Sequence, residues 1–300
     1  MFKKLTALFL CLIMVFSLAA CQGKTETESK SGVDSGEQAV EPKKEAIRLA
    51  TTTSVNDSGL LGYLLPYFKE DTGYDVEVAS AGTGIAIGYA KSGDADVLLV
   101  HSKAQEEDFI AEGFSSTERL SFMYNFFVIC GPSDDPADIA EAENAAEAFR
   151  KIAAAGSAFV SRGDNSGTHD KEKNIWESAG TTPDKTAEWY VSVGSGMGDT
   201  LNKANELKAY VITDKATYLS MKQSLPNIQI LKADADDMKN TYSLLGVNPD
   251  AAAFEGTGAA INSDGANAFI EWMHSGEAVD LISDYGISAY GEQLFYVIEK

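Results

Sequence analysis

Residues 46–100 read AIRLATTTSVNDSGLLGYLLPYFKEDTGYDVEVASAGTGIAIGYAKSGDADVLLV, and this stretch decides the fold. Ala46–Ala50 is a short apolar run that predicts a strand, followed by the polar turn Thr51-Thr52-Thr53-Ser54. Within Ser58–Lys69 the apolar residues Leu60, Leu61, Leu64, Leu65 and Phe68 fall on one helical face. Tyr74–Val78 predicts a second strand, Ser80-Ala81-Gly82-Thr83-Gly84 a turn, Ile85–Lys91 a helix and Asp96–Val100 a third strand. Strand, polar turn and helix repeating at this interval predict βαβ units in a mainly parallel sheet, hence an α/β protein.

Outward from this unit the same alternation continues. Two long apolar stretches, Phe122–Cys130 and Tyr242–Val247, predict two connections between lobes. Between them the pattern predicts helices over about 137–155, 168–179 and 199–207, strands at 158–161 and 209–213, and a helix reaching Met221. Beyond Tyr242 a strand near 258–261 and helices over 266–274 and 278–285 follow. The expected architecture is two α/β lobes, 46–123 with 243–300 and 124–242, joined by two crossovers with a ligand cleft between them, where small ligands usually bind.

The chain opens with Lys3 and Lys4, an apolar run Leu5–Leu18 and the small residues Ala19-Ala20 before Cys21. That is a signal-peptide pattern over 1–20, too short for a comfortable membrane span. Leu18-Ala19-Ala20-Cys21 resembles the bacterial lipobox, which implies lipidation of Cys21 and anchoring outside the cytoplasmic membrane. Residues 21–45 are polar and poor in aromatics, a composition that predicts a flexible tether. With Cys11 in the signal and Cys21 lipidated, only Cys130 remains, inside an apolar run, so no disulfide is available and the domain depends on a packed core. His101, His169 and His274 are far apart in sequence and form no metal-ligand pattern with cysteine. Asp234, Asp236 and Asp237 lack the glycine and closing glutamate of a calcium loop, so neither a cation nor a cofactor is expected. The net charge of −21, about −23 without Lys3 and Lys4, excludes nucleic acid as a partner. It also means that an anion would be held by short-range donors against an unfavourable overall field.

Three polar loops each follow a strand and open a helix: Thr51–Ser54, Ser80–Gly84 and the run Ser161-Arg162-Gly163-Asp164-Asn165-Ser166-Gly167-Thr168. Helix N-termini leave N–H groups unpaired and favour anions, hydroxyls add uncharged donors, and Arg162 adds a planar cationic fork. Ser and Thr before a helix cap it far more often than they touch a ligand, the glycines also fit plain turns, and Arg162 also fits an ion pair with Asp164 or Asp170, so the three loops count together. Ser166, His169 and Asp170 supply the residue types of a hydrolytic triad, but so close together that no separate oxyanion hole is evident.

The strings TTTS, ASAGTG and SRGDNSGTH resemble the TupA-type tungstate-binding proteins of the type II periplasmic binding protein group. The longer segments DVLLVHS (96–102), MYNFFVICGP (123–132) and GMGDTLNKANELKAYVITDKATYL (196–219) carry the resemblance further. It implies that Thr52, Thr53 and Ser54, with Ser80, Gly82 and Thr83, present donors from one lobe. Arg162, Ser166, Gly167 and Thr168 would close from the other, around tungstate or molybdate, for delivery to an ABC permease by a monomeric, extracytoplasmic lipoprotein. Which of Thr51, Thr52 and Thr53 turns inward stays open, as does His101, a donor or a structural residue.

Phosphate near neutral pH carries a proton and needs a buried acceptor, in phosphate-binding relatives a carboxylate. Val100-His101-Ser102, where that acceptor would be expected, holds none, which favours tungstate, molybdate or sulfate. Sulfate is smaller and would leave donors unpaired in a larger cavity. A phosphate or sulfate binder, an oxyanion sensor and a Ser166-dependent hydrolase are the alternatives.

Overall fold

The computed structural model describes residues 44–233 and 235–298. The signal segment, Cys21 and the tether up to residue 43 lie outside the described residues, as does Asp234. The described chain begins with Lys44, whose Nζ donates to Thr72 O at 2.7 Å and lies over the Tyr74 ring.

The first half of the chain runs β1 (Ile47–Thr52), α1 (Thr53–Asp57), α2 (Leu60–Thr72), β2 (Val76–Ala81), α3 (Thr83–Ser92), β3 (Val97–Val100), α4 (Lys103–Ala111) and β4 (Leu120–Gly131). Then come α5 (Ala145–Ala155), β5 (Phe159–Ser161), α6 (Gly167–Ser178), β6 (Tyr190–Ser192), α7 (Met197–Leu207), β7 (Tyr210–Asp214), α8 (Lys215–Met221) and β8 (Gln229–Lys232). The chain closes with β9 (Lys239–Gly246), α9 (Ser263–Met273), α10 (Gly276–Asp284), α11 (Ile287–Tyr290) and β10 (Tyr296–Val297).

The strands follow one hydrogen-bonded order, β2-β1-β3-β9-β4-β7-β5-β6, with β8 and β10 added on β4. β1 pairs in parallel with β2 and β3, and β5 in parallel with β6 and β7. The two parallel sets are the expected βαβ units, and between them β4 and β9 run antiparallel. Leu120–Phe126 of β4 pair with β9, and Phe127–Cys130 pair with β7, so one strand leaves the first sheet and enters the second. Because the crossovers are strands that pair with each other, the sheet is mixed where the sequence alone suggested a mainly parallel one. At the junction Asn240 Nδ2 donates to Asn125 Oδ1 at 2.9 Å and to Tyr242 Oη at 2.8 Å, while Asn125 Nδ2 is buried without a partner.

Each sheet is covered by helices on both faces. Leu60, Leu61, Leu64 and Phe68 of α2 pack with Phe269 and Trp272 of α9 on one face of the first sheet, while Ala86, Ile87 and Ala90 of α3 and Phe109 of α4 cover the other. In the second lobe Phe149, Phe159, Trp176 and Tyr190 form one core, and Leu201, Val211 and Tyr218 the other. Cys130 is buried and free in that second core, and burial pushes its thiol well up, so it behaves as a small hydrophobe.

Two expected elements differ. The helix expected over about 137–155 begins only at Ala145, because Asp135 and Asp138 adopt left-handed backbone and Asn144 caps the helix through Glu147 N. No strand forms at 258–261. Ala260 O accepts from Arg48 Nη2, and Asn262 N donates to Asp96 Oδ1, so side chains pin this segment.

Candidate functional site

The three loops meet where the lobes touch. β1 delivers Thr51–Ser54, β2 delivers Ser80 to Thr83, and β5 delivers Arg162 to Thr168. Arg162 sits at the centre, 2% exposed. Its Nη2 donates to Thr53 Oγ1 across the cleft at 2.7 Å, and its Nε donates to Asp164 Oδ2 at 2.9 Å. Of the two ion-pair partners open to it in sequence, Asp164 is the one engaged. Asp170 instead accepts from Lys173, Ser102 and Gln105.

The hydroxyls divide by what they do. Thr51 Oγ1 donates to Leu99 O at 2.7 Å, so its hydrogen is committed to the β1–β3 layer. Thr53 Oγ1 accepts from Arg162, Thr83 Oγ1 accepts from Gly167 N at 3.2 Å, and Ser166 Oγ accepts from His169 N at 3.3 Å as the α6 cap. A hydroxyl that accepts through its oxygen keeps its hydrogen to donate elsewhere. Thr168 is fully buried and its Oγ1 has no hydrogen-bond partner. Thr52 Oγ1 lies 3.2 Å from Ser54 Oγ, which lies 3.3 Å from His101 Nε2. Gly82, the α3 N-cap, provides no side chain to cap that helix, and its Cα faces Asp164 and Ser166 of the other lobe. Ser80 is the outlier: it is exposed on β2 and not drawn into this cluster.

Two glycines are required by the packing. Gly163 has φ +66°, and a Cβ there would stand 1.9 Å from Ser192 Oγ. At Gly167 a Cβ would fall 2.5 Å from His101 Cε1, so the imidazole of one lobe rests on the bare backbone of the other. His101 is buried, its ring tilted against Tyr242 with centroids 5.0 Å apart, and burial together with the Arg162 charge pushes its pKa down to about 4. It is therefore neutral near pH 7 and adds no positive charge to the site.

Of the carboxylates that feel the charge of Arg162, Asp57 is exposed at the end of α1, and Asp164 and Asp214 are engaged. Asp164 Oδ1 accepts from Ser166 N at 3.1 Å while Oδ2 holds Arg162. Asp214, buried and pushed up to about 6 by that burial, accepts from Thr217 N and Thr217 Oγ1 at 2.8 and 2.7 Å. Asp214, Thr217, Gln105 and the Asn125–Asn240 pair were not singled out in the sequence, where nothing local marks them. The triad reading of Ser166 does not fit the geometry: its Oγ is met by the backbone N–H of His169, and His169 Nδ1 accepts from Asn165 N at 2.9 Å.

A family model described as the PBP superfamily domain matches residues 32–277. The tungstate-binding protein TupA of Peptoclostridium acidaminophilum is 43% identical over 296 residues, covering 98% of each chain. Among solved structures, the tungstate ABC transporter protein from Geobacter sulfurreducens is 41% identical with a TM-score of 0.73, covering 80% of this chain and 99% of that one. The tungstate-binding protein TupA from Desulfovibrio alaskensis is 38% identical with a TM-score of 0.71, covering 86% of this chain and all of that one.

Proposed function

The chain belongs to the PBP superfamily and, within it, to the TupA family, and from that premise we propose that it captures tungstate outside the cytoplasm and delivers it to the permease of an ABC transporter. The observation that carries the reading is the polarity of the cleft. Around one buried guanidinium, Thr53, Thr83 and Ser166 accept from their neighbours and keep their hydrogens, and Thr168 is unspent. Such a site offers donors to a fully deprotonated oxyanion and little to the proton of hydrogen phosphate. Ligands are Thr52, Thr53, Ser54, Gly82 and Thr83 from one lobe and Arg162, Ser166, Gly167 and Thr168 from the other. Ser80 contributes only if closure around the anion draws β2 inward.

In this reading the lobes, 46–123 with 243–300 and 124–242, hinge on β4 and β9 and exchange the water of the anion for fixed N–H and O–H donors. The closed shape is what the permease reads, no covalent bond is made, and the protein works as a monomer tethered through lipid on Cys21. Cys21→Ser would then release it from the membrane fraction; retention there would remove the anchor from the reading. The test of the ligand is calorimetric titration of the domain from Glu45 with tungstate, molybdate, sulfate and phosphate. One-to-one binding of tungstate with phosphate and sulfate silent is expected, and the molybdate trace ranks the two metal oxyanions. Binding of phosphate alone would overturn the reading.

A further inference from the structure

Beside the crossover strands lies a groove of about 640 Å³ with walls from both lobes. Lys103 and Arg119 reach it from the first lobe, Lys171 and Lys173 from α6, and Lys239 from β9. Two carboxylates, Glu107 and Asp170, share this lining. They pair with Lys103 and Lys173, and Arg119 pairs with the buried Glu106 behind it. Lys171 and Lys239 are held differently. Each lies near an aromatic ring, 5.9 Å from Phe127 and 3.7 Å from Tyr124, and among the described residues neither forms an ion pair. The carboxylate whose charge acts on Lys171 is Asp237, which itself accepts from Ala145 N.

A chain of net charge −21 therefore presents a locally cationic surface, and it does so next to the oxyanion site. His101 and Gly167 belong to the lining, and the groove thereby abuts the oxyanion site: His101 Nε2 lies 3.3 Å from Ser54 Oγ, and Gly167 directly precedes Thr168. His101 Nδ1 is buried there without a hydrogen-bond partner. The groove has far more room than one tetrahedral anion needs, so its geometry suits gathering anions more than gripping one. At physiological salt the Debye length is about 8 Å, which screens distant surface carboxylates but not charges lining the cleft. Clefts walled by one sign of charge focus the field and raise association rates.

We propose that this groove is the electrostatic antechamber of the oxyanion site, which gathers small dianions and sets their association rate. The inference rests on the oxyanion-binding reading above. It predicts a sign. Two bodies of like net charge should associate faster as salt screens them, whereas a cationic antechamber makes association slower as salt rises. The experiment determines the tungstate association rate constant as koff divided by Kd, from exchange of radiolabelled tungstate and from calorimetry, between low and physiological salt. The wild-type rate should fall with salt. Lys171→Gln with Lys239→Gln should lower it about three- to tenfold at low salt and flatten the slope, leaving koff and one-to-one stoichiometry unchanged.

A rate that rises with salt in wild type overturns the proposal, as does a double variant with the wild-type rate and slope. A loss expressed in koff would put these lysines in the closed site, and a second tight anion per chain would make the groove a static site; either outcome also overturns it. Silence toward all four oxyanions would overturn the binding reading and the antechamber together, whereas normal binding with an unaltered rate removes the antechamber alone.

Discussion

Gly167→Ala tests whether the contact between His101 and the α6 backbone is part of ligand capture. The added methyl would lie 2.5, 2.7 and 3.0 Å from three atoms of the His101 ring, against the 3.5–4.0 Å of an ordinary carbon contact, an overlap of about 1 Å. The ring has no easy retreat, being buried between Ser54, Phe127 and Tyr242. Overpacking of this kind costs about 1–3 kcal/mol. Ring and glycine sit on different lobes, so the strain is relieved by keeping the lobes apart, and the cost falls on the closed, liganded form. Affinity for tungstate should then drop roughly 5- to 150-fold. The lobes themselves should not suffer, since alanine at the first turn of a helix is as good as glycine or better by up to about 1 kcal/mol. Calorimetry reads the affinity, and thermal unfolding without ligand reads the stability. A double-mutant cycle completes the test: on a His101→Ala background, Gly167→Ala should cost nothing further. Affinity within twofold of wild type, or an equal loss on both backgrounds, would refute the steric argument.

Two further expectations follow from the hydroxyls and one from a buried carboxyl. Thr168→Val should leave the unliganded domain as stable or more so, because the Oγ1 it removes is buried and unpartnered, yet lower tungstate affinity tenfold or more through loss of a hydrogen bond to a charged ligand. Thr51→Val should do the reverse, losing about 1 kcal/mol of stability with the bond to Leu99 O and leaving affinity unchanged by calorimetry. Burial pushes Glu172 up to about 7, although Tyr190 Oη and Trp176 Nε1 donate to its Oε1. The folded state therefore keeps a proton that the unfolded chain loses above the ordinary glutamate range, and stability declines as pH rises from about 4.5 to 7. Glu172→Gln removes that decline, so its stability advantage over wild type should widen by about 3 kcal/mol between pH 4.5 and pH 8 in denaturant titrations; a constant gap would contradict the assignment.

The parts of the fold written in short-range pattern were legible. Leu60, Leu64 and Phe68 fall on one helical face and do pack as one, and β1 and β3 follow their apolar runs, whereas β2 is shifted to Val76–Ala81 and takes in the first two residues of the expected turn. Helix α4 leaves no periodic signal in the sequence, because its buried side is only Glu106 and Phe109. The apolar run Ala259-Ala260-Ile261 resembles a strand, but Ala259 and Ile261 pack against the core of the first lobe without pairing and Ala260 is exposed. At the site, the loops could be read but not their partners. Thr53 and Arg162 are 109 residues apart, and only the fold brings them to 2.7 Å. Three consecutive threonines are indistinguishable in sequence; the pairing of β1 with β3 commits Thr51 and leaves Thr53 facing the other lobe. Ser80 belongs to the same polar run as Thr83, but β2 extends to Ala81 and leaves it on an exposed edge.

Asp164 and Asp214 decide how the site treats hydrogen phosphate. The segment Val100 to Ser102 lacks a carboxylate, yet Asp164 and Asp214 of the other lobe lie within the field of Arg162. What matters is not their presence but what they already hold. Asp164 carries Arg162 on one oxygen and Ser166 N on the other, and Asp214 receives both the amide and the hydroxyl of Thr217. A proton of hydrogen phosphate would have to share an Asp164 oxygen that already takes the charge-assisted bond of Arg162 or the Ser166 amide, both of which shape the anion loop, or an Asp214 oxygen that caps α8. A deprotonated oxyanion makes no such demand and takes the hydrogens that Thr53, Thr83, Ser166 and Thr168 have left over. The same carboxylates offset Arg162, so the site is not strongly cationic, and affinity must come from the number and aim of neutral donors. That places selectivity in the spacing between two lobes, which is why the glycines and the His101 ring at their junction bear on binding although none of them carries charge near pH 7.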